Sequence, residues 1–204
     1  MINIIDIGLG NITSLEYWIN SCNLFSKRVS TPSEFSNDII VIPGVASAKE
    51  FMRRLRLAKL DQEIIQRSAN GQKIVGICLG FQILTDFSQE DGGVKCLGLL
   101  KGKTVFLRSR QTNNGWKNFR LDGKIITEKY SSHIYLSAKK KRIVSGRVYF
   151  NHAFEVILEN QPDIYSQTSD NGITSLAFNK NIFGFQFHPE KSQETGKELL
   201  KLLI

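Results

Sequence analysis

Apolar residues recur along this chain in two rhythms, and the change from one to the other divides it. In the first half, short apolar runs alternate with helical spacing. The pattern predicts a buried strand over Ile2–Ile7, interrupted only by Asn3, and then a helix over Asn11–Asn20 with Ile12, Leu15, Trp18, Ile19 and Cys22 on one stripe. Asn11 either caps that helix or points outward. Further strands are expected at Phe25–Ser30 and Asp38–Ile42, the latter closed by Pro43-Gly44. Helices follow over Ser47–Leu57, with Ala48, Phe51 and Leu55 inward, and over Leu60–Ala69, stopped by Asn70-Gly71. Strands alternating with helices in this way imply a mainly parallel sheet covered on both faces.

Past Gly92-Gly93 the helical rhythm gives way to strands. Lys103–Leu107, Tyr130–Ala138, Arg147–Ile157, Tyr165–Thr168, Ile173–Phe178 and Ile182–Phe187 all have strand character, with Asn171-Gly172 and Asn179-Lys180-Asn181 as tight hairpins. The C-terminal half is therefore expected to be mostly antiparallel. A last helix, capped by Ser192, carries Leu199, Leu200, Leu202 and Leu203. With 204 residues, no internal repeat and no low-complexity linker, residues 1–204 read as one α/β domain.

Chemistry enters at Lys73-Ile74-Val75-Gly76-Ile77-Cys78-Leu79-Gly80-Phe81-Gln82. A β-branched run stops at a cysteine with a glycine two residues to either side, and a helix-compatible run, Leu79–Phe87, follows. This is the strand–turn–helix outline of a nucleophile elbow with Cys in the nucleophile's place. Gly76 and Gly80 remove side chains that would collide where the chain doubles back. A helix N-terminus behind the thiol would favour the thiolate. The bland alternative is a buried, inert cysteine in a core strand.

A second segment changes the balance. Gly184-Phe185-Gln186-Phe187-His188-Pro189-Glu190-Lys191-Ser192 ends another strand with a histidine, and a carboxylate stands two positions on. A thiol nucleophile needs a base to ionise it and to protonate the leaving group, and that base needs a third group to hold its tautomer. Pro189 fixes its own φ and restricts His188, so His188 and Glu190 are held in a defined relation. Cys78, His188 and Glu190 are the candidate catalytic triad.

On these residues the sequence resembles the class I (triad) glutamine amidotransferases, and within them the glutaminase subunits of imidazole glycerol phosphate synthases. The likeness runs nearly end to end, through Asp6-Ile7-Gly8-Leu9-Gly10-Asn11, Pro43-Gly44-Val45, Gly76–Gln82, Gly115-Trp116, Val148-Tyr149-Phe150-Asn151-His152 and Gly184–Ser192. It implies a flavodoxin-like sheet with the elbow at its carboxyl edge, where open α/β sheets place ligands. It also implies L-glutamine as substrate, no cofactor and no metal, and ammonia delivered to a (β/α)₈ cyclase subunit in a heterodimer.

By the same resemblance the oxyanion would be met by the backbone N–H groups of Leu79 and Val45. Gly44, Gln82, His152 and Ala153 would line the glutamine pocket. Asn11 and Trp116 would face the partner. Gln82 lies one helical turn after Cys78, on the same side. A structural or pocket role suits His152 better than that of a second base, and His133 carries no assigned chemistry.

The chain departs from the family's usual pattern at Thr112-Asn113-Asn114-Gly115-Trp116-Lys117, at Ala46-Ser47, at Ile7 and at Phe154. None of these touches the triad; all fall where the partner interface is expected. An acceptor other than the cyclase therefore stays open. The leading alternative is a sugar amidotransferase of surface-polysaccharide biosynthesis that draws ammonia from a paralogue of this subunit.

Composition narrows the remaining options. The net charge of +8 raises the possibility of nucleic-acid binding. The densest basic run, Lys139-Lys140-Lys141-Arg142, falls between strands, and no helix has a basic stripe with interleaved aromatics. An acidic partner protein or a phosphorylated substrate on a neighbouring subunit fits the charge as well. The three cysteines, Cys22, Cys78 and Cys96, are scattered, which suits neither a disulfide framework nor a zinc site. With no apolar run near the ~20 residues of a membrane helix and no signal sequence, a cytoplasmic protein is expected.

Overall fold

In the computed structural model, residues 1–108, 111–122, 143–159, 165–169 and 172–204 are described. The expected strand Tyr130–Ala138, His133, the basic run 139–142 and Asn171 lie outside these residues. The strands are β1 (Ile2–Ile5), β2 (Ser26–Val29), β3 (Ile40–Ile42), β4 (Ile74–Ile77), β5 (Phe87–Ser88), β6 (Val94–Lys95), β7 (Gly102–Phe106), β8 (Asn113–Asp122), β9 (Ile143–His152), β10 (Phe154–Leu158), β11 (Tyr165–Thr168), β12 (Thr174–Asn179) and β13 (Ile182–Phe185). The helices are α1 (Ile12–Asn20), α2 (Ala48–Leu57), α3 (Leu60–Ala69), α4 (Leu79–Gln82) and α5 (Gln193–Leu203).

Among the described residues the strands form three sheets. The central one has seven strands in the order β11-β12-β13-β4-β3-β1-β2. From β2 to β13 neighbours run parallel; β12 and β11 are antiparallel additions. A four-stranded sheet, β10-β7-β5-β6, and a two-stranded ribbon, β8-β9, complete the set.

Because successive strand side chains point to opposite sides of the sheet, the core divides onto two faces. Ile2, Ile4, Val41, Val75 and Ile77 pack against α1, α5 and the ribbon's Val144, Val148 and Phe150. Ile5, Ile40, Ile42 and Ile74 pack against α2, α3 and residues of the smaller sheet such as Val94 and Val156. The β1 residue that breaks the apolar run, Asn3, is fully buried. Its amide donates to the carbonyls of Ser36, Asp38 and Ile39, each at 3.2 Å, and its oxygen accepts from the Ser36 N–H at 2.9 Å. It thus fastens the loop that leads into β3.

Several expected elements are redrawn. β1 stops at Ile5 because the Asp6 carboxylate accepts the Gly8 N–H, with Gly8 at φ 72. The helix after Cys78 is one turn long rather than reaching Phe87. The Thr85 hydroxyl turns back onto the Gln82 carbonyl at 2.7 Å, and the chain leaves to form β5. The single strand expected over Arg147–Ile157 is two: the chain breaks at Ala153, with β9 in the ribbon and β10 in the smaller sheet. Asn113–Asp122 forms a strand that its mixed polar pattern conceals, since Phe119 and Leu121 are its only buried apolar residues among those described. Asn11 precedes α1 without a side-chain cap bond, and Ser192 likewise makes no cap bond to α5. No described helix is long and apolar enough to cross a membrane.

Candidate active site

Three adjacent strands of the parallel sheet, β3, β4 and β13, deliver their carboxyl ends to one place. β4 ends at Cys78, whose backbone takes φ 51 and ψ −107, a conformation strained for any side chain but glycine. The surrounding glycines explain how the strain is housed. A Cβ on Gly76 would lie 2.6 Å from the Gly80 carbonyl oxygen, and one on Gly80 would lie 2.1 Å from that of Ile42. Neither distance is tolerable, so the elbow requires glycine at both positions, as the sequence pattern predicts.

β13 leads through Gln186 and Phe187 to His188, and a short turn over Pro189–Lys191 brings Glu190 back beneath the ring. The His188 Nδ1 and a Glu190 carboxylate oxygen (Oε1) are 2.7 Å apart, with both side chains nearly inaccessible. With Nδ1 engaged, Nε2 is left for the Cys78 side chain, with which the ring also interacts. Burial by itself would depress the imidazole pKa. Hydrogen bonds and charge from Cys78 and Glu190 outweigh it and raise the group to about 10. The second Glu190 oxygen is buried with no hydrogen-bond partner among the described residues, so the carboxylate's charge is directed at the imidazole. A one-turn helix carries little macrodipole, and the positive neighbour of the sulfur is therefore His188 rather than a helix end.

The Cys78 sulfur also lies 3.7 Å from the Asn151 carbonyl oxygen. It opens into a cavity of about 340 Å³ lined in part by Gly44, Val45, Leu79, Gln82, His152 and Ala153. The residues expected at the oxyanion and substrate positions thus share one space with Cys78 and His188, and Glu190 stands behind the histidine. The pair expected to face a partner lies elsewhere. Trp116 is partly exposed on the ribbon, its ring against Tyr149 with centroids 5.7 Å apart, and Asn11 is half-buried at the start of α1.

His152 is not equipped as a base. Its Nδ1 donates to the Phe154 carbonyl at 2.7 Å and its Nε2 accepts from the Asn113 amide at 2.8 Å. Burial, only partly opposed by the Phe154 bond and reinforced by the charge of His188, lowers its pKa to about 4. Gln82 is buried too, and its NH₂ donates to the same Phe154 carbonyl at 3.1 Å and to Gln186 at 3.4 Å.

Glu90, which the sequence pattern does not single out, also lines the cavity. One of its oxygens accepts the Ala48 N–H at 2.7 Å, so it caps α2 from a distant loop. Burial pushes its carboxyl above the ordinary range, against the Ala48 bond. In sequence, Gln89-Glu90-Asp91-Gly92 reads as a polar turn, and nothing local marks the glutamate.

The glutamine amidotransferase class-I family model matches residues 3–203. The chain belongs to the class-I glutamine amidotransferases. It is 35% identical over 205 residues to the imidazole glycerol phosphate synthase subunit HisH of Oceanobacillus iheyensis, covering 98% of this chain and 96% of that protein. The HisH of Thermotoga maritima is 33% identical over 210 residues, covering 100% and 96%. Two solved structures share the amidotransferase fold. One is titled a glutamine amidotransferase, with a TM-score of 0.75, 14% identity and coverage of 98% and 96%. The other is PurLQS from Thermotoga maritima, with a TM-score of 0.72, 19% identity and coverage of 99% and 96%. This amidotransferase places Cys78 and His188 just past the ends of two neighbouring strands, with Glu190 on the turn that follows, and among its described residues no cluster of three or more His, Cys, Asp or Glu could hold a metal ion.

Proposed function

We propose that this amidotransferase is the glutaminase subunit of an imidazole glycerol phosphate synthase, hydrolysing L-glutamine through Cys78, His188 and Glu190 and passing ammonia to a cyclase subunit. The observation that carries the chemistry is the buried 2.7 Å His188–Glu190 contact, behind a histidine that lines the cavity together with Cys78. The acceptor reading rests on the HisH relatives, matched over nearly their whole length.

The mechanism follows from the site. Glu190 keeps the proton on Nδ1 and stabilises the imidazolium, which holds the Cys78 sulfur as thiolate. The thiolate attacks the carboxamide carbon of glutamine, forming the C–S bond and placing charge on the carbonyl oxygen. The Leu79 N–H, at the first turn of α4 where it has no intrahelical acceptor, and the Val45 N–H serve that oxyanion. His188 then gives its Nε2 proton to the departing nitrogen, and the C–N bond breaks to release ammonia. Water, deprotonated by His188, attacks the γ-glutamyl thioester; glutamate leaves and the cysteine is restored. Glu90 supplies a negative charge for the substrate's α-ammonium.

Glutamate release by the purified chain, alone and with the cyclase plus its nucleotide substrate, tests the assignment, with Cys78→Ala as the blank. Strong stimulation by that cyclase is expected. Activity indifferent to the cyclase would overturn the acceptor while leaving the hydrolysis, and the sugar amidotransferase would be tried next.

A further inference from the structure

The turn that carries His188 and Glu190 is joined to the ribbon by an irregular pairing. Tyr149 and His188 form an isolated antiparallel bridge. In a regular pair of this kind the two residues exchange both N–H···O bonds. Here only one is direct: the His188 N–H donates to the Tyr149 carbonyl at 2.8 Å. In place of the other stands the Ser192 hydroxyl, which accepts the Tyr149 N–H at 3.1 Å and donates to the His188 carbonyl at 2.6 Å. Only a hydroxyl-type group both accepts and donates at one atom in this way.

We propose that Ser192 is a positioning residue of the catalytic triad, its hydroxyl inserted into the Tyr149–His188 bridge so as to fix the backbone from which His188 and Glu190 project. The proposal rests on the reading of Cys78, His188 and Glu190 as the triad. Three further observations support it. Ser192 is buried to 1% exposure, so its hydroxyl has no water to exchange with. Its position before α5 is that of a helix cap, yet the hydroxyl makes no cap bond and is committed wholly to the bridge. Its backbone closes the same turn, with the Ser192 N–H on the Pro189 carbonyl at 3.0 Å and its carbonyl accepting the Gly196 N–H at 3.1 Å. Gly196 allows that approach: a Cβ there would sit 1.9 Å from the Pro189 oxygen.

Ser192→Ala leaves the Tyr149 N–H without its acceptor and frees the His188 carbonyl from one of its two donors, the Lys191 N–H being the other. The turn relaxes and the imidazole loses its fixed relation to Cys78 and Glu190. Displacements on the ångström scale in such a site cost about 10- to 100-fold in rate. The expected result is a fall of about that size in kcat for glutamine hydrolysis, with KM moved by less than about 2-fold, since Ser192 is not itself among the residues that line the cavity.

A purely structural loss is separated in two ways. Asn181→Ala removes two hydrogen bonds, a buried one to the Ser68 carbonyl and a part-buried one to the Gln72 carbonyl, at the opposite end of β13. It should lower thermal stability comparably and leave kcat unchanged. The pH dependence of Cys78 alkylation by iodoacetamide reads the Cys78–His188 pairing directly, the titratable groups facing His188 being Cys78, Glu190 and His152. Ser192→Ala should displace that profile towards that of His188→Ala, and Asn181→Ala should not.

If Ser192→Ala matches Asn181→Ala in both kcat and alkylation profile, Ser192 is structural only and the proposal is overturned. If His188→Ala itself leaves the profile unmoved, the triad reading fails instead. Should Ser192→Ala not fold, Ser192→Cys, close in size and a weak donor and acceptor, serves the same readouts. A lowered kcat at unchanged KM supports the proposal, and a wild-type kcat contradicts it.

Discussion

Gly44 lies so close to Ile77 that a Cβ on the glycine would stand 1.9 Å from the Ile77 carbonyl oxygen and 2.7 Å from the Leu79 nitrogen. The loop after β3 is thus pressed onto the elbow itself, one residue before Cys78 and one after. That contact sets where the Val45 peptide can sit relative to Leu79. Gly44→Ala should therefore act on both stability and rate. We expect a loss of about 1–3 kcal/mol, as for other overpacking substitutions, and a fall in glutaminase kcat of at least about 100-fold. Thermal denaturation and glutamate release measure the two. Wild-type kcat in this variant would mean that the loop has no part in the chemistry.

The elbow is legible in the sequence through the glycines at 76 and 80, because close backbone approach leaves only glycine as a solution. From its own neighbours Gly44 reads merely as part of a turn, since its reason lies across the sheet in Ile77. The parallel half of the fold is readable from alternating periodicities. The break at Ala153 is not, because β9 and β10 are each strand-like and only their partners, β8 and β7, tell them apart. The proposed triad is legible as two short motifs. Glu90 is not, since a glutamate in a polar turn acquires its place only when the turn folds against Ala48.

Glu90 lines the cavity and caps α2 with one oxygen. Glu90→Gln keeps a carbonyl oxygen for the Ala48 N–H but removes the charge proposed to meet the α-ammonium. The expected outcome is a rise in KM for glutamine of about 10- to 100-fold, in keeping with a hydrogen bond to a charged group, with kcat and melting temperature little changed. Steady-state kinetics over a wide glutamine range checks it. An unaltered KM would remove Glu90 from the substrate site.

Two buried cysteines should differ sharply in reactivity. Burial pushes the Cys96 thiol up to about 12, and its sulfur faces the Val94 carbonyl at 3.5 Å. Cys78 sits on an open cavity beside His188. Brief treatment of the native protein with iodoacetamide at neutral pH, followed by peptide mass spectrometry, should find the label on Cys78 and none on Cys96. In urea both should react.

His152 gives the pH dependence a sign. Its pKa is lowered to about 4 in the fold, against about 6.5 when unfolded. Between these values the unfolded chain binds a proton that the native state refuses, so stability is lost as pH falls from about 6.5 towards 4. His188 behaves oppositely: raised to about 10, its contribution is full below about 6.5 and is lost as pH rises through 10. Urea denaturation at pH 7 and pH 5 should show that His152→Gln, which cannot titrate, loses less stability over this interval than the wild type. Equal losses would mean that His152 is not held neutral.

The central claim is that Cys78 is the nucleophile and that His188, held by Glu190, makes it one. The most direct measurement is covalent labelling by a diazoketone analogue of glutamine, followed by intact-mass and peptide mass spectrometry of the wild type, His188→Ala and Cys78→Ala. The account predicts one adduct on Cys78 in the wild type, formed at least about 100-fold more slowly in His188→Ala and absent in Cys78→Ala. No adduct on the wild-type cysteine, or an equal rate without His188, would contradict it.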